Sequence, residues 1–444
     1  MASSEGPELG EESLEKLVVV GAGLAGLTAA YRASTLRPLV LKRNPWVGGR
    51  THSENLGDGL WVNLGAFWLP ESALQLAREL GVEVNEDPLP PPALFIGGKR
   101  IIETGHIRWF LELPLSLRAR FQFLKTVVRL LLAVRRIRAG GGQELNDVTL
   151  AEWLGPLQPD MEELVLPMAT MVGATDISTI SARVGLDVVS AAIGRMTYHG
   201  ASYTTVVGGT GLLAENIAAR LGERVITNAN VTRVSQNESE VQIAFTANGS
   251  DSVVRAEQCV LAVPVTEMLV LCDGLPEDKA DAFRALKPVT AISLGLIIEG
   301  APDAPWDRMY WLHTAGTIKS LVNDEYFSRR RRPPEAKRVF SLIISGEQAR
   351  EVWHLSDDDL TDLVITRFVD IFPEAAGYTS VGSIVRHKPA MVSGPPGMER
   401  ELSLRSEPVG RIHFCGADLA GVGTDLTIRS GESAAAQVLS GVSN

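Results

Sequence analysis

Cysteine is scarce in this chain. Cys259, Cys272 and Cys415 are odd in number and far apart, which fits neither a disulfide framework nor a zinc cluster. A reducing, cytoplasmic setting is expected, with no metal site. No uncharged run reaches the roughly 18 residues that suggest a membrane span. Cations are in deficit: 42 Lys and Arg against 53 Asp and Glu give a formal net charge of −11, which argues against a general nucleic-acid binder. Residues 1–13 are acidic and small, without the basic and apolar regions of a signal peptide, and are expected to form a disordered tail. No internal repeat occurs at solenoid periods, and the C-terminal residues carry no apolar anchor.

What is present points to two domains. The 444 residues exceed a single core, and a hydrophobic content of 45% is enough to bury two. The organising stretch is Lys16 to Lys42. Lys16 to Val20 reads as a buried strand, and Gly21-Ala22-Gly23-Leu24-Ala25-Gly26 then satisfies G-x-G-x-x-G where a helix over 26–36 is expected. Gly21 suits the tight turn, Gly23 a close backbone approach to a pyrophosphate, and Gly26 close helix–strand packing. Arg37 to Leu41 completes a βαβ unit. Gly48-Gly49 followed by Arg50 is a second turn suited to a phosphate. Trp61 to Trp68, with the small residues Gly65 and Ala66, then leads to a predicted helix over 71–80.

Together, this G-x-G-x-x-G strand and helix, Val47-Gly48-Gly49-Arg50-Thr51, Asn63-Leu64-Gly65-Ala66 and the helix ending Arg78-Glu79-Leu80-Gly81-Val82 resemble the N-terminal region of the flavin-containing amine oxidase family. Val206 to Leu213 with Arg224 to Val234, Cys259 to Pro264, and Gly410 to Val438 resemble later segments of that family in the same order. The resemblance implies an α/β fold: a Rossmann-like FAD-binding domain (about 14–85, 204–290 and 405–444) interleaved with an α+β substrate domain (about 86–203 and 291–404). Independently, 225–265 reads as short strands with a turn at Asn248-Gly249. Carried over by position, Gly21, Ala22, Gly23, Leu24, Ala25 and Gly26 would face the pyrophosphate, with Gly48, Gly49 and Arg50 at a phosphate and Gly65 and Ala66 beside them. The backbone of Val231 would face the adenine, and Gly416, Ala417 and Asp418 the ribityl chain and phosphates. Thr427 and Ile428 would open the last helix, toward the flavin ring.

The departures from the family pattern are specific. Where the family places a ribose-binding glutamate, this chain has Lys42 followed by Arg43, leaving Asn44 or Glu54 as substitutes. The family's lysine near the flavin ring aligns with Leu294. No cysteine stands in Lys388 to Gly397, so FAD is expected to be noncovalent. The two aromatic residues that flank an amine are absent from Ser393 to Arg400 and from Gly421 to Asp425, where Ala420 to Gly423 instead resembles protoporphyrinogen oxidases.

The resemblance places Met171, Val172, Ser202, Tyr203 and Tyr310-Trp311-Leu312-His313 around the substrate cavity. Read as residues alone, His199 and His313 are better explained as hydrogen-bonded structural histidines, and Tyr203 and Trp311 as core. Arg118 to Arg138 alternates cations with apolar residues. It suits either a membrane surface or, as the main reading, a core-packed helix with solvated arginines. The first function reading is oxidation of an amine or amino acid with oxygen as acceptor. The second is protoporphyrinogen oxidase-like or desaturase-like chemistry on a larger apolar substrate, and the third a non-redox protein that kept the fold. A small-molecule substrate is expected as partner, with no nucleic acid and no membrane span.

Overall fold

The computed structural model describes residues 14–70, 73–85, 92–102, 106–165, 176–186, 203–301, 305–314, 316–318, 320–324, 326, 337–421 and 423–442. The proposed tail, with Met171, Val172, His199 and Ser202, lies outside the described residues.

The first of two seven-stranded sheets is centred on the strand Leu14–Val20. Parallel neighbours flank it on both sides, Leu39–Leu41 and the long strand Ser250–Leu261. Val225–Ile226 and Ile412–Phe414 extend the parallel array outward. Leu17 and Val19 point into one apolar cluster and Val18 and Val20 into another, so both faces of the sheet are covered. That is why the strand reads as a continuous apolar run and not as an alternating one. The helix Leu24–Arg32 covers one face with Leu212–Leu221 and Thr424–Val442. Beyond Ser250–Leu261 the sheet continues antiparallel through Val241–Ala247 and Ala229–Gln236, whose apolar residues join the second cluster, and the helices Val265–Leu271 and Glu277–Arg284 pack on that face.

Two sequence signals explain local boundaries. Asn248 and Gly249 both have positive φ, 51° and 79°, as a two-residue hairpin turn requires between Val241–Ala247 and Ser250–Leu261. The helix expected over 26–36 instead spans Leu24–Arg32 and is followed by a 3₁₀ turn at Ser34–Leu36. Pro38 disfavours helical backbone at Arg37, which takes φ 53°, and the next strand begins only at Leu39. The helix expected over 71–80 is described from Leu74 to Leu80.

The second sheet runs in the order Thr379–Val392, Pro288–Ile298, Arg338–Ser345, Ser320–Asn323, Trp311–Thr314, Ala93–Ile96, Lys99–Ile101. It is antiparallel except where Ala93–Ile96 lies parallel to Trp311–Thr314. Ile292, Leu294 and Leu296 face a core with Trp306, Phe340 and Phe368, the last from the helix Asp357–Ile371. The expected boundary at 290/291 falls inside the strand Pro288–Ile298, all of which pairs within this sheet.

Asn63 ties the two halves together. Its amide N–H donates to Ser341 Oγ (3.0 Å), its Nδ2 donates to Asp324 Oδ1 (2.7 Å), and its Oδ1 accepts from the Thr210 N–H (2.9 Å). One buried carboxamide thus links the hairpin Ser53–Gly57/Leu60–Asn63 to the second sheet and to the turn before Leu212–Leu221. Leaving any of these groups unpaired would cost about 1–3 kcal/mol.

Candidate functional site

The three glycines of the first turn do different work. A Cβ on Gly21, whose φ is 109°, would sit 2.5 Å from Ala262 O, and one on Gly26 would sit 2.0 Å from Gly21 O. These two are required by packing. Gly23 has open space where a Cβ would stand, and it lies at the start of the helix Leu24–Arg32. Its openness leaves the helix N-terminus, with its unpaired N–H groups, accessible to an anion. Gly48 and Gly49 (φ 94° and 57°) turn the chain back so that the Gly48 N–H donates to Ala22 O at 2.8 Å. A Cβ on Gly65 would meet Arg50 O at 2.1 Å, and the Ala66 N–H donates to that oxygen at 2.8 Å.

A cavity of about 650 Å³ opens from this cradle. Gly23, Leu24, Ala25, Gly48, Arg50, Gly65, Ala66, Gly416, Ala417 and Thr427, all expected from sequence, border it. Gly21, Ala22, Gly26, Gly49, Asp418 and Ile428 stand behind that wall. Asp418 is buried and holds the Arg50 guanidinium, while its Oδ2 accepts from the Val265 N–H at 3.1 Å. Arg50 also donates to Ala390 O at 3.3 Å. Arg50 is therefore aimed by a carboxylate before any phosphate arrives.

The positions expected at the adenosine end do not border the cavity. Lys42 continues the parallel pairing, its N–H donating to Ile226 O (2.9 Å) and its carbonyl accepting from the Ala229 N–H (2.8 Å). Burial, helped by the neighbouring Arg43 charge, pulls its pKa down to about 8. Arg43 lies at the surface, paired with Glu267 at 3.4 Å, and Val231 packs in the core.

At the far end the cavity meets the second sheet. Ala291 and Ser293 face it, whereas Leu294 points to the opposite, helix-covered face. The expected alignment of Leu294 with the family's lysine is thus one residue out of register with the wall, since adjacent strand residues face opposite ways. Ser293 is the wall residue there. Of the expected substrate residues, Trp311 borders the cavity. His313 is buried beside it, ring centroids 3.9 Å apart, and Tyr310, also buried, accepts at its Oη from Trp68 Nε1 at 3.1 Å. The backbone of Tyr203 pairs with Pro70.

Sequence reasoning placed Trp311 at the cavity but missed Phe67, Trp68 and a histidine. Phe67, Trp68 and Trp311 all border the cavity, with Trp68 edge-on to Trp311 at 4.3 Å and to Phe67 at 4.5 Å. The Trp311 Nε1–H is spent on Ser320 Oγ at 2.8 Å. His387 borders the cavity because its strand register sets it opposite Ala291. Its Nε2 lies 2.7 Å from Leu64 O. Burial pulls the His387 pKa below the ordinary imidazole value, with Arg50 and His52 adding to the effect against that hydrogen bond. The imidazole is therefore neutral at pH 7, Nε2 carrying the proton toward Leu64 O. Nothing in the sequence around a single histidine signals this; the pairing with Pro288–Ile298 does.

No cysteine borders the cavity. All three thiols are buried, and burial raises their pKa, for Cys272 to about 11 and for Cys415 to about 12. Among the described residues no group of three or more His, Cys, Asp or Glu could hold a metal ion. No described helix is long and apolar enough to cross a membrane. A glycine cradle at a helix N-terminus leading into an aromatic-walled space fits a dinucleotide that carries a flat ring system.

Comparison with known proteins gives the same direction. The probable flavin-containing monoamine oxidase A of Dictyostelium discoideum is 27% identical over 57% of this chain and 58% of its own length. The chain spans little more than half the length of the curated relatives it matches in this way, 56–58%. Among solved structures, cyclohexylamine oxidase from Brevibacterium oxydans superposes with a TM-score of 0.76 at 18% identity, covering 97% of this chain and 100% of that one. A putative protoporphyrinogen oxidase from an Exiguobacterium species gives 0.73 at 16%, covering 96% and 99%. At these identities the superpositions establish the fold, a Rossmann-like FAD domain joined to a second sheet. The profile of flavin-containing amine oxidoreductases matches residues 24–439, and on that match the chain belongs to this flavin-containing family.

Proposed function

We propose that this protein is an oxidase that binds FAD noncovalently and oxidises the C–N bond of an amine or amino acid. The observation that carries the reading is the single cavity joining the Gly23 cradle to the wall formed by Phe67, Trp68, Trp311 and Ser293. Bound with its pyrophosphate at Gly23 and Gly48, FAD supplies a two-electron acceptor for hydride from the substrate carbon. Arg50, aimed by Asp418, and the N-terminus of Leu24–Arg32 hold the phosphates. Thr427 sets the start of the helix Thr424–Val442 against the cavity, where the positive end of its dipole favours negative charge. The aromatic corner takes the apolar part of the substrate and excludes water, which lowers the cost of presenting an amine as its neutral base. Loss of a hydride and a proton turns the amine into an imine, and oxygen, receiving the two electrons and two protons, becomes hydrogen peroxide.

The substrate class has two branches. Arg405 borders the cavity but is buried, its guanidinium donating to Met398 O and lying 3.5 Å from Glu401, so it does not by itself favour an amino acid over a plain amine. The turn Ala420, Gly421, Gly423, which borders the cavity without an aromatic side chain, favours the second reading, a larger apolar substrate. Anaerobic mixing of the yellow protein with a panel of amines and L-amino acids should bleach the flavin absorbance with at least one of them. Bleaching only by an apolar polycyclic or polyene compound moves the second reading to first place. A purified protein that neither carries nor takes up FAD overturns both.

A further inference from the structure

The helix Leu117–Arg138 has two apolar faces, and only one belongs to the fold. Leu130 and Ala119 are buried, with Val127, Val134 and Ile137 packed on the same side. A second set, Leu117, Phe121, Leu124, Val128, Leu131 and Leu132, is 43–86% exposed. The steps of three and four residues put this set on one stripe of an α-helix, opposite the buried one. The main sequence reading, a core-packed helix with its arginines solvated, accounts for the first face and leaves the second unexplained.

The charges on this helix are one-sided. Its 22 residues contain seven Lys or Arg and no Asp or Glu, in a chain whose formal net charge is −11. Two of the cations serve the fold. Arg120 donates to the carbonyls of Phe110 and Leu113, both at 2.7 Å, and Arg129 lies over the Trp153 ring at 4.4 Å. Arg118, Lys125 and Arg135 are exposed. At about 100° per residue, Arg118 and Lys125 run along one flank of the apolar stripe and Arg135 closes its C-terminal end.

We propose that Leu117–Arg138 docks this protein in the plane of an anionic lipid surface, the stripe from Leu117 to Leu132 entering the acyl boundary and Arg118, Lys125 and Arg135 meeting headgroup phosphates. Charge complementarity selects this occupant. Two copies paired through the exposed stripe would bring Arg118, Lys125 and Arg135 of one against the same three of the other, with no carboxylate on either helix to offset them. A lipid leaflet rich in anionic headgroups supplies both the apolar depth and the opposite charge. The helix lies on the surface and does not span it, in keeping with its many cations.

Flotation of the full-length, flavin-loaded protein with phosphatidylcholine vesicles, with and without phosphatidylserine, tests this. Binding is expected with phosphatidylserine, at least about tenfold weaker on phosphatidylcholine alone, and reduced by added salt. The double variant Phe121→Glu, Val128→Glu replaces two exposed side chains, and should keep the urea midpoint and the flavin spectrum while losing vesicle binding. No flotation of the wild type with phosphatidylserine overturns the proposal, as does a double variant that folds and still binds. A wild type that ignores vesicles but forms dimers, dissociated by the same double variant, would assign the stripe to a second copy instead.

Discussion

Single residues in this protein are governed by what burial does to their charge. His413 is 4% exposed, its Nε2 3.0 Å from Gln258 Oε1 and its Nδ1 3.4 Å from Gln437 Oε1. Burial pulls its pKa down against the Gln437 hydrogen bond, and His387 shifts in the same direction. Both side chains take up a proton near pH 6.5 in the unfolded chain but only at lower pH in the folded one. Below pH 6.5 the unfolded state thus binds more protons and stability falls with pH; above about 7 both forms are neutral and the contribution is constant. The urea midpoint should drop between pH 7 and 5.5, with a slope bounded by about 1.4 kcal/mol per pH unit for each histidine. His413→Gln, which cannot titrate, should flatten part of that slope, and a midpoint already level across this window would refute the account. The glycine roles were legible at this scale, because turn and packing demands at Gly21 and Gly26 are local. His387 was not, because a lone histidine acquires its place only from the strand opposite.

At the scale of elements, the close crossing of Leu24–Arg32 and Thr424–Val442 sets both helix N-termini against the cavity. Gly431 makes the crossing: a Cβ there would stand 2.3 Å from Ala25 O and 3.0 Å from Thr28 Cβ, both in a buried helix. Gly431→Leu should force the helices apart, costing roughly 1–3 kcal/mol of stability as overpacking does. It should also raise the flavin dissociation constant by shifting Leu24 and Thr427 together. Gly441→Ala, where only Gln258 Nε2 comes near at 3.8 Å, is the control and should be neutral or slightly stabilising. Equal urea midpoints and equal flavin retention in the two variants would show that the crossing does not position the site. The βαβ unit and the Asn248-Gly249 hairpin were readable from the chain because their determinants lie within a few residues. The second sheet was not, since Ala93–Ile96 pairs with Trp311–Thr314 across nearly half the sequence. The misplacement of Leu294 has the same root: a one-residue uncertainty in a strand exchanges the cavity wall for the helix-covered core.

At the scale of the whole molecule, the cavity has no owner among the two sheets. Gly23, Gly48 and Gly416 come from the first, and Ala291, Ser293, Trp311 and His387 from the second. A ligand that fills it touches both halves, as Asn63 does by hydrogen bonds, and it binds only when the two are assembled. Such a ligand stabilises the folded state by RT ln(1 + [L]/Kd), about 2.7 kcal/mol at a hundredfold excess over Kd. In a chain of this size that corresponds to a rise in Tm of a few degrees. Protein stripped of flavin should melt earlier, and FAD should restore Tm in a concentration-dependent way. Riboflavin separates the cradle from the aromatic end, because it carries the ring system without the pyrophosphate that Gly23, Gly48 and Arg50 are arranged to meet. Its shift should be clearly smaller than that of FAD at equal concentration. Equal shifts would mean that the glycine cradle adds nothing to binding, and no shift with FAD would mean that the cavity does not accept it.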